Sequence, residues 1–228
     1  MGDRLAGKRV LVTQARDYMG PAISALFAAE GAEVIADDSD LTAPCACERV
    51  VSAAGALDVL VANLAHAPKP APVADIADAD WFALFDTLVH PLMRLVRAVA
   101  PQMTARGHGK VVAVTSAAPL RGIANTGAYC AARGAQNAFL RAVGLELAPK
   151  NVQVNAIAQN YVQNDTYYPR SLLATERFAA HLRHNVPAGR VAEGVETAEL
   201  ALFLACDKSN FLVGQVLPFA GGWVTTTG

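Results

Sequence analysis

Long apolar runs are missing from this chain: nowhere do about 18 consecutive apolar residues occur, which leaves no candidate for a membrane-spanning helix. A charge excess is missing too. Lysine and arginine total 19 against 20 aspartates and glutamates, a formal net charge of −1, with no basic block or acidic tail. That balance argues against nucleic acid or an anionic membrane as a partner. Cysteine is sparse, 4 in 228 residues, and does not read as a disulfide framework. Cys45 and Cys47 stand as Cys-x-Cys without a second Cys/His pair at zinc spacing. His66, His90, His108, His181 and His184 are scattered. His181-x-x-His184 can share a helical face but lacks partners to complete a site, so no metal is expected. Residues 1–8 lack the apolar core of a secretory signal, and a cytoplasmic enzyme is the expectation.

Core-forming residues are plentiful. At 53% hydrophobic, the 228 residues can fill one large α/β domain spanning 1–228. Residues 9–13 read as a first strand, and 21–30 as a helix with Pro21 in its first turn and Gly31 just past its end. A strand at 33–36, a helix at 44–55 and a buried strand at 58–63 follow. A stiff loop, Pro68-Lys69-Pro70-Ala71-Pro72, precedes a helix expected from about Asp80 to Met103, bent at Pro91 where a ladder donor is lost. Then come a strand at 111–116, a helix carrying Tyr129 to about Ala148, and a strand at 152–157. A long polar loop, a helix at 196–206 and a strand at 215–219 complete the order. Alternating strands and helices, without linker or repeat, predict a Rossmann-like doubly wound parallel sheet flanked by helices.

The chemistry gathers at the end of the 111–116 strand and in the next helix. Four β-friendly residues lead to Ser116, placing its hydroxyl at the carboxyl end of a buried strand, where open α/β sheets bind ligands. Tyr129 and Arg133 are four residues apart in an Ala-rich segment and share one helix face. A permanent cation about 4 Å from a phenolate stabilises it by roughly 4 kcal/mol at an effective dielectric of about 20. That is enough to bring a phenol from about 10 toward neutrality before desolvation opposes it. The plainer alternative is a surface Tyr–Arg stack beside a helix-capping serine.

With Ser116 thirteen residues before Tyr129, the arrangement resembles the Ser…Tyr-x-x-x-Lys signature of the short-chain dehydrogenase/reductase family, Arg133 replacing the lysine. That family carries Thr-Gly-x-x-x-Gly-x-Gly after its first strand, where glycines let a pyrophosphate approach the backbone. Here the stretch reads Thr13-Gln14-Ala15-Arg16-Asp17-Tyr18-Met19-Gly20. Of the three glycines only Gly20 remains, and Tyr18 sets a ring where the pyrophosphate would lie. The family's Asn-Asn-Ala-Gly becomes Ala62-Asn63-Leu64-Ala65. Its lysine also holds the nicotinamide ribose, and arginine has a different, forked shape. These departures read as a fold retained without its cofactor; the alternative is another turn that still binds NADP, with Arg16 on the phosphate.

The combination resembles the halohydrin dehalogenases, cofactor-free relatives of the short-chain dehydrogenases, and looks most like their B-type members. Residues 59–63, 89–92, 155–161 and 219–223 support the likeness. The resemblance implies Tyr129 as base, Arg133 as its activating cation and Ser116 as hydrogen-bond donor to the substrate oxygen. It implies a halide and substrate site walled by Tyr18, Gln159, Asn160, Tyr161, Val162 and Tyr168, with backbone N–H groups facing the departing halide. Family members often carry proline where Gln159 stands. Partners would be a small haloalcohol or epoxide and a halide ion, with no cofactor and no metal. His90 sits where many short-chain dehydrogenases carry a helix asparagine that orders a relay water; the plain reading is a buried, hydrogen-bonded imidazole. Apolar residues on more than one face of the 80–103 helix, and small residues along the Tyr129 helix, suggest packing across a subunit boundary. By resemblance the assembly is a homotetramer. Two rivals stand: an NADP-dependent reductase, and a non-catalytic regulator that kept the fold.

Overall fold

Six parallel strands form one sheet in the computed structural model, which describes residues 2–225. Met1 and residues 226–228, the ends of the span read as one domain, lie outside the described residues. The strands are β1 (Arg9–Thr13), β2 (Glu33–Asp37), β3 (Val59–Asn63), β4 (Gly109–Ser116), β5 (Val152–Gln159) and β6 (Val216–Phe219). Their order across the sheet is β2-β1-β3-β4-β5-β6, with every neighbouring pair parallel. Strands β3, β4 and β5 are buried along their whole length; β3 and the middle of β4 accordingly read as apolar runs, while β5 buries Gln153, Asn155 and Gln159 among its apolar residues. This is the expected Rossmann-like doubly wound architecture.

Side chains alternate across the sheet and divide the core into two layers. On one face Leu11, Leu60, Val111 and Val154 pack against α2 (Ala46–Ala54), α4 (His90–Arg106) and α6 (Gly127–Leu147). On the other, Val12, Val61 and Val112 pack against α1 (Gly20–Ala29) and α9 (Gly194–Ala205). From β1 the chain goes outward to β2 and returns to β3 on the other side. The loops after β1 and β3 therefore part at a switch point, and that is where this fold opens a crevice.

Three local expectations are corrected. The 80–103 helix is two α segments, α3 (Asp78–Leu84) and α4, joined by a π turn at Phe85–Val89. Pro91 falls in the first turn of α4, where its missing N–H costs little, and the wider turn ahead of it takes up the extra residue. Strand β5 runs two residues beyond Ile157, because Ala158 and Gln159 pair with both Thr115–Ser116 and Pro218–Phe219. Gln159 is therefore a strand residue, not loop. The polar stretch after β5 contains α7 (Arg170–Leu173) and α8 (Glu176–Asn185), the latter capped by Thr175, whose hydroxyl accepts from Phe178 N at 3.3 Å. A short four-residue helix, α5 (Ala118–Arg121), follows β4. Among the described residues no helix is long and apolar enough to cross a membrane, and no His/Cys/Asp/Glu group could hold a metal ion.

Candidate active site

Ser116 ends β4, buried, and its Oγ accepts a hydrogen bond from Ala118 N at 3.1 Å. Tyr129 and Arg133 lie one turn apart near the start of α6, 7% and 0% exposed. Arg133 Nε donates to Tyr129 Oη at 3.1 Å. Its Nη1 donates to Gln136 Oε1 at 2.9 Å and Val114 O at 3.4 Å, and its Nη2 donates to Tyr167 Oη at 2.9 Å. Among the described residues no carboxylate pairs with this guanidinium. A lone buried cation is costly unless its donors are met, and here neutral oxygens meet them. Burial opposes the charge, but Tyr129, Tyr167 and Tyr18 outweigh it and hold Arg133 above the ordinary guanidinium value.

The first turn keeps the backbone of a glycine loop without the glycines. Gln14 has φ 44° and Tyr18 φ 55°, the left-handed region that costs a side chain about 1–2 kcal/mol. These are two of the three positions where the short-chain dehydrogenase signature has glycine. Gln14 Oε1 accepts from Ala65 N at 2.7 Å, while Asn63 Nδ2 ties Gln14 O at 2.9 Å and Asp17 O at 3.0 Å. The retained Gly20 is required, because a Cβ there would lie 2.3 Å from Gln14 O. Tyr18 Oη reaches Thr115 O at 3.5 Å, and its ring centroid is 5.3 Å from that of Tyr167. Burial holds the Tyr18 phenol well above its usual value, against the pull of Arg133.

At the carboxyl ends of the strands lies a cavity open to solvent, about 500 Å³ counted out through its mouth. Of the expected residues, Ser116, Tyr129, Tyr18, Gln159, Asn160, Val162 and Tyr168 line it, with Arg133 behind Tyr129. Tyr161 does not. Its ring packs against Tyr168, His181 and Trp223, and its hydroxyl bonds His181 Nε2 at 3.0 Å, so it braces the wall from outside the cavity. Of the backbone amides along this wall, Asn160 N donates to Phe219 O and Tyr161 N to Asn160 Oδ1. Asn160 Oδ1 also accepts from Tyr168 Oη. His90 is half-exposed and bonds Asp86 Oδ1 at 2.9 Å, not buried as the plain reading had it. The carbonyl offered by the π turn, Leu88 O, is taken by Gln136 Nε2 at 2.7 Å.

Two residues escaped the sequence reading. Gln136, three positions after Arg133, is a helical neighbour that spacing alone could have flagged. Tyr167 leaves only the Tyr167-Tyr168 doublet as a signal in the sequence. Its oxygen accepts from Arg133 Nη2 and His66 N, and its hydrogen goes to His66 O at 3.0 Å. Burial raises the Tyr167 and Tyr168 phenols above their usual values.

A serine closing a central parallel strand, with a tyrosine and a basic residue one helical turn apart beside a switch-point crevice, defines a class: Rossmann-like proteins built on the dehydrogenase plan. Residues 5–224 match the family model described as enoyl-(acyl carrier protein) reductase. The chain belongs to the short-chain dehydrogenase/reductase family. It is 30% identical to L-xylulose reductase of Mesocricetus auratus, over 97% of this chain and 98% of that protein. To the 3-oxoacyl-[acyl-carrier-protein] reductase of Thermotoga maritima it is 28% identical, over 97% and 99%. Among solved structures, that of a dehalogenation enzyme superposes with a TM-score of 0.91 at 33% identity, covering 96% of this chain and 99% of that one.

Proposed function

We propose that this chain is a halohydrin dehalogenase that works without a nicotinamide cofactor. The observation that carries the reading is the first turn. Its left-handed positions bear Gln14 and Tyr18, and the Gln14 carboxamide already holds the Ala65 N–H. The family's dinucleotide needs bare backbone there for its pyrophosphate, so these residues do not fit it. The similar dehalogenation enzyme supports the same reading.

In this reading Tyr129 takes the hydroxyl proton of a vicinal haloalcohol. The oxygen attacks the neighbouring carbon, the carbon–halogen bond breaks with both electrons on the halide, and an epoxide closes. Arg133, bonded to Tyr129 Oη, favours the phenolate that starts the cycle. Ser116 holds the substrate oxygen, and the proton passes from Tyr129 to solvent. In reverse, Tyr129 protonates the alkoxide as a small anion opens the ring. Tyr18, Gln159, Asn160, Val162 and Tyr168 wall the halide and substrate site, with Tyr161 behind Tyr168. Four copies assemble through the open groove where Met93 and Ala100 of α4 face Phe139 and Val143 of α6.

The test is halide and acid release from 1,3-dichloro-2-propanol with no nucleotide added. Release is expected, rising with pH as the base form fills, and Tyr129→Phe is expected to lower kcat at least about a hundredfold. A parent protein that releases no halide, or a fully active Tyr129→Phe, overturns the reading. The named reductase relatives favour a second reading, an NADP-dependent reductase. Nucleotide-dependent change at the nicotinamide absorbance band with a carbonyl substrate would support it instead.

A further inference from the structure

We propose that Tyr167 is a positioning residue: its hydroxyl holds the Arg133 guanidinium against Tyr129 and leaves Tyr129 as the phenol free to ionise. This rests on Tyr129 being the base. The guanidinium is planar, so fixing its two terminal nitrogens fixes where Nε points. Gln136 Oε1 holds Nη1 and Tyr167 Oη holds Nη2, each at 2.9 Å, and Nε is thereby set 3.1 Å from Tyr129 Oη.

Two phenols then share one cation, Tyr129 at Nε and Tyr167 at Nη2. Both cannot ionise, since like charges this close repel. The neutral Tyr167 phenol is matched on both sides by the backbone of His66, whose N donates to its oxygen and whose O takes its hydrogen, each at 3.0 Å, whereas burial opposes its phenolate. Tyr167 has a single hydrogen, and it goes to His66 O at 3.0 Å. A phenolate there would face that carbonyl oxygen with no hydrogen between. The Arg133 charge consequently acts on Tyr129. Tyr167 also belongs to the cavity wall: its N donates to Asn164 Oδ1 at 2.8 Å, and Asn164 Nδ2 donates to Val162 O at 2.7 Å. Placement of the anion wall and of the activating cation is therefore one event.

Tyr167→Phe keeps the ring against Tyr18 and Tyr129 and removes only the hydroxyl. Losing one hydrogen bond to a charged group predicts kcat for halide release about tenfold lower, with KM within about twofold. The acid limb of the pH–rate profile is expected to move up by about one pH unit. In an Arg133→Lys background, which has no second nitrogen for Tyr167, the same change is expected to add nothing. An unmoved acid limb, or full additivity, overturns the proposal. If Tyr167→Phe fails to give a cooperative melt, Gln136→Met releases the other nitrogen and must move the limb the same way. Should the parent release no halide, the base reading fails separately, and ultraviolet phenolate titration decides on Tyr167. The first phenol to ionise must vanish in Tyr129→Phe and persist, at higher pH, in Tyr167→Phe; the opposite assignment refutes the proposal.

Discussion

At the scale of single residues, strain and charge sit together. Gln14 and Tyr18 hold left-handed backbone, and Tyr18 stands close to a buried guanidinium that has no carboxylate among the described residues. Such costs persist where surrounding structure enforces them, and they gather at functional sites. Tyr18→Gly separates the two contributions. Relief of about 1 kcal/mol of backbone strain nearly offsets the packing lost with a half-buried ring, so Tm is expected to stay within about 4 °C. Halide release is expected to fall about tenfold, because the ring is one wall of the cavity. A thermal melt and a halide assay on the same protein check both halves.

At the scale of elements, α6 does two jobs: its first turns carry Tyr129 and Arg133, and its far end anchors it to the sheet. Gly144 lies where a Cβ would come 2.6 Å from Gly214 Cα, in the segment leading to β6. Glycine inside an exposed helix is usually improved by alanine, by about 0.5–1 kcal/mol. Here the backbone contact wins, and overpacking costs about 1–3 kcal/mol. Gly144→Ala is therefore expected to lower Tm by about 4–8 °C, measured by calorimetry. The π turn ahead of α4 is the same kind of device: the carbonyl it offers, Leu88 O, receives Gln136, whose other end holds Arg133. Helix periodicity placed apolar residues along 80–103, but periodicity does not say which turn will widen.

At the scale of the whole molecule, the apolar side chains between α4 and α6 have no covering element within the described chain. The proposed assembly of four copies would cover them, so sedimentation equilibrium is expected to give a four-chain mass. Val143→Glu, which buries a charge at that contact, is expected to reduce it. A monomeric parent protein would end the assembly proposal and leave the reaction proposal standing.

Much of this was readable from residue order alone. Strand and helix order follow from local periodicity, so the parallel sheet was legible, as was the Ser116, Tyr129, Arg133 spacing, because i to i+4 on a helix is a short-range relation. The altered first turn was legible as a loss of glycine, yet its geometry was not: the loop kept the turn and let Gln14 and Tyr18 bear the strain. Tertiary structure alone decided that Tyr167, 34 residues from Arg133, supplies a ligand to its guanidinium. It alone turned Tyr161 toward His181 and committed the Asn160 and Tyr161 amides to Phe219 O and Asn160 Oδ1. The reason is physical. Local pattern governs which residues form an element and which way they face, whereas a loop's partners depend on which distant groups reach it once the sheet has assembled.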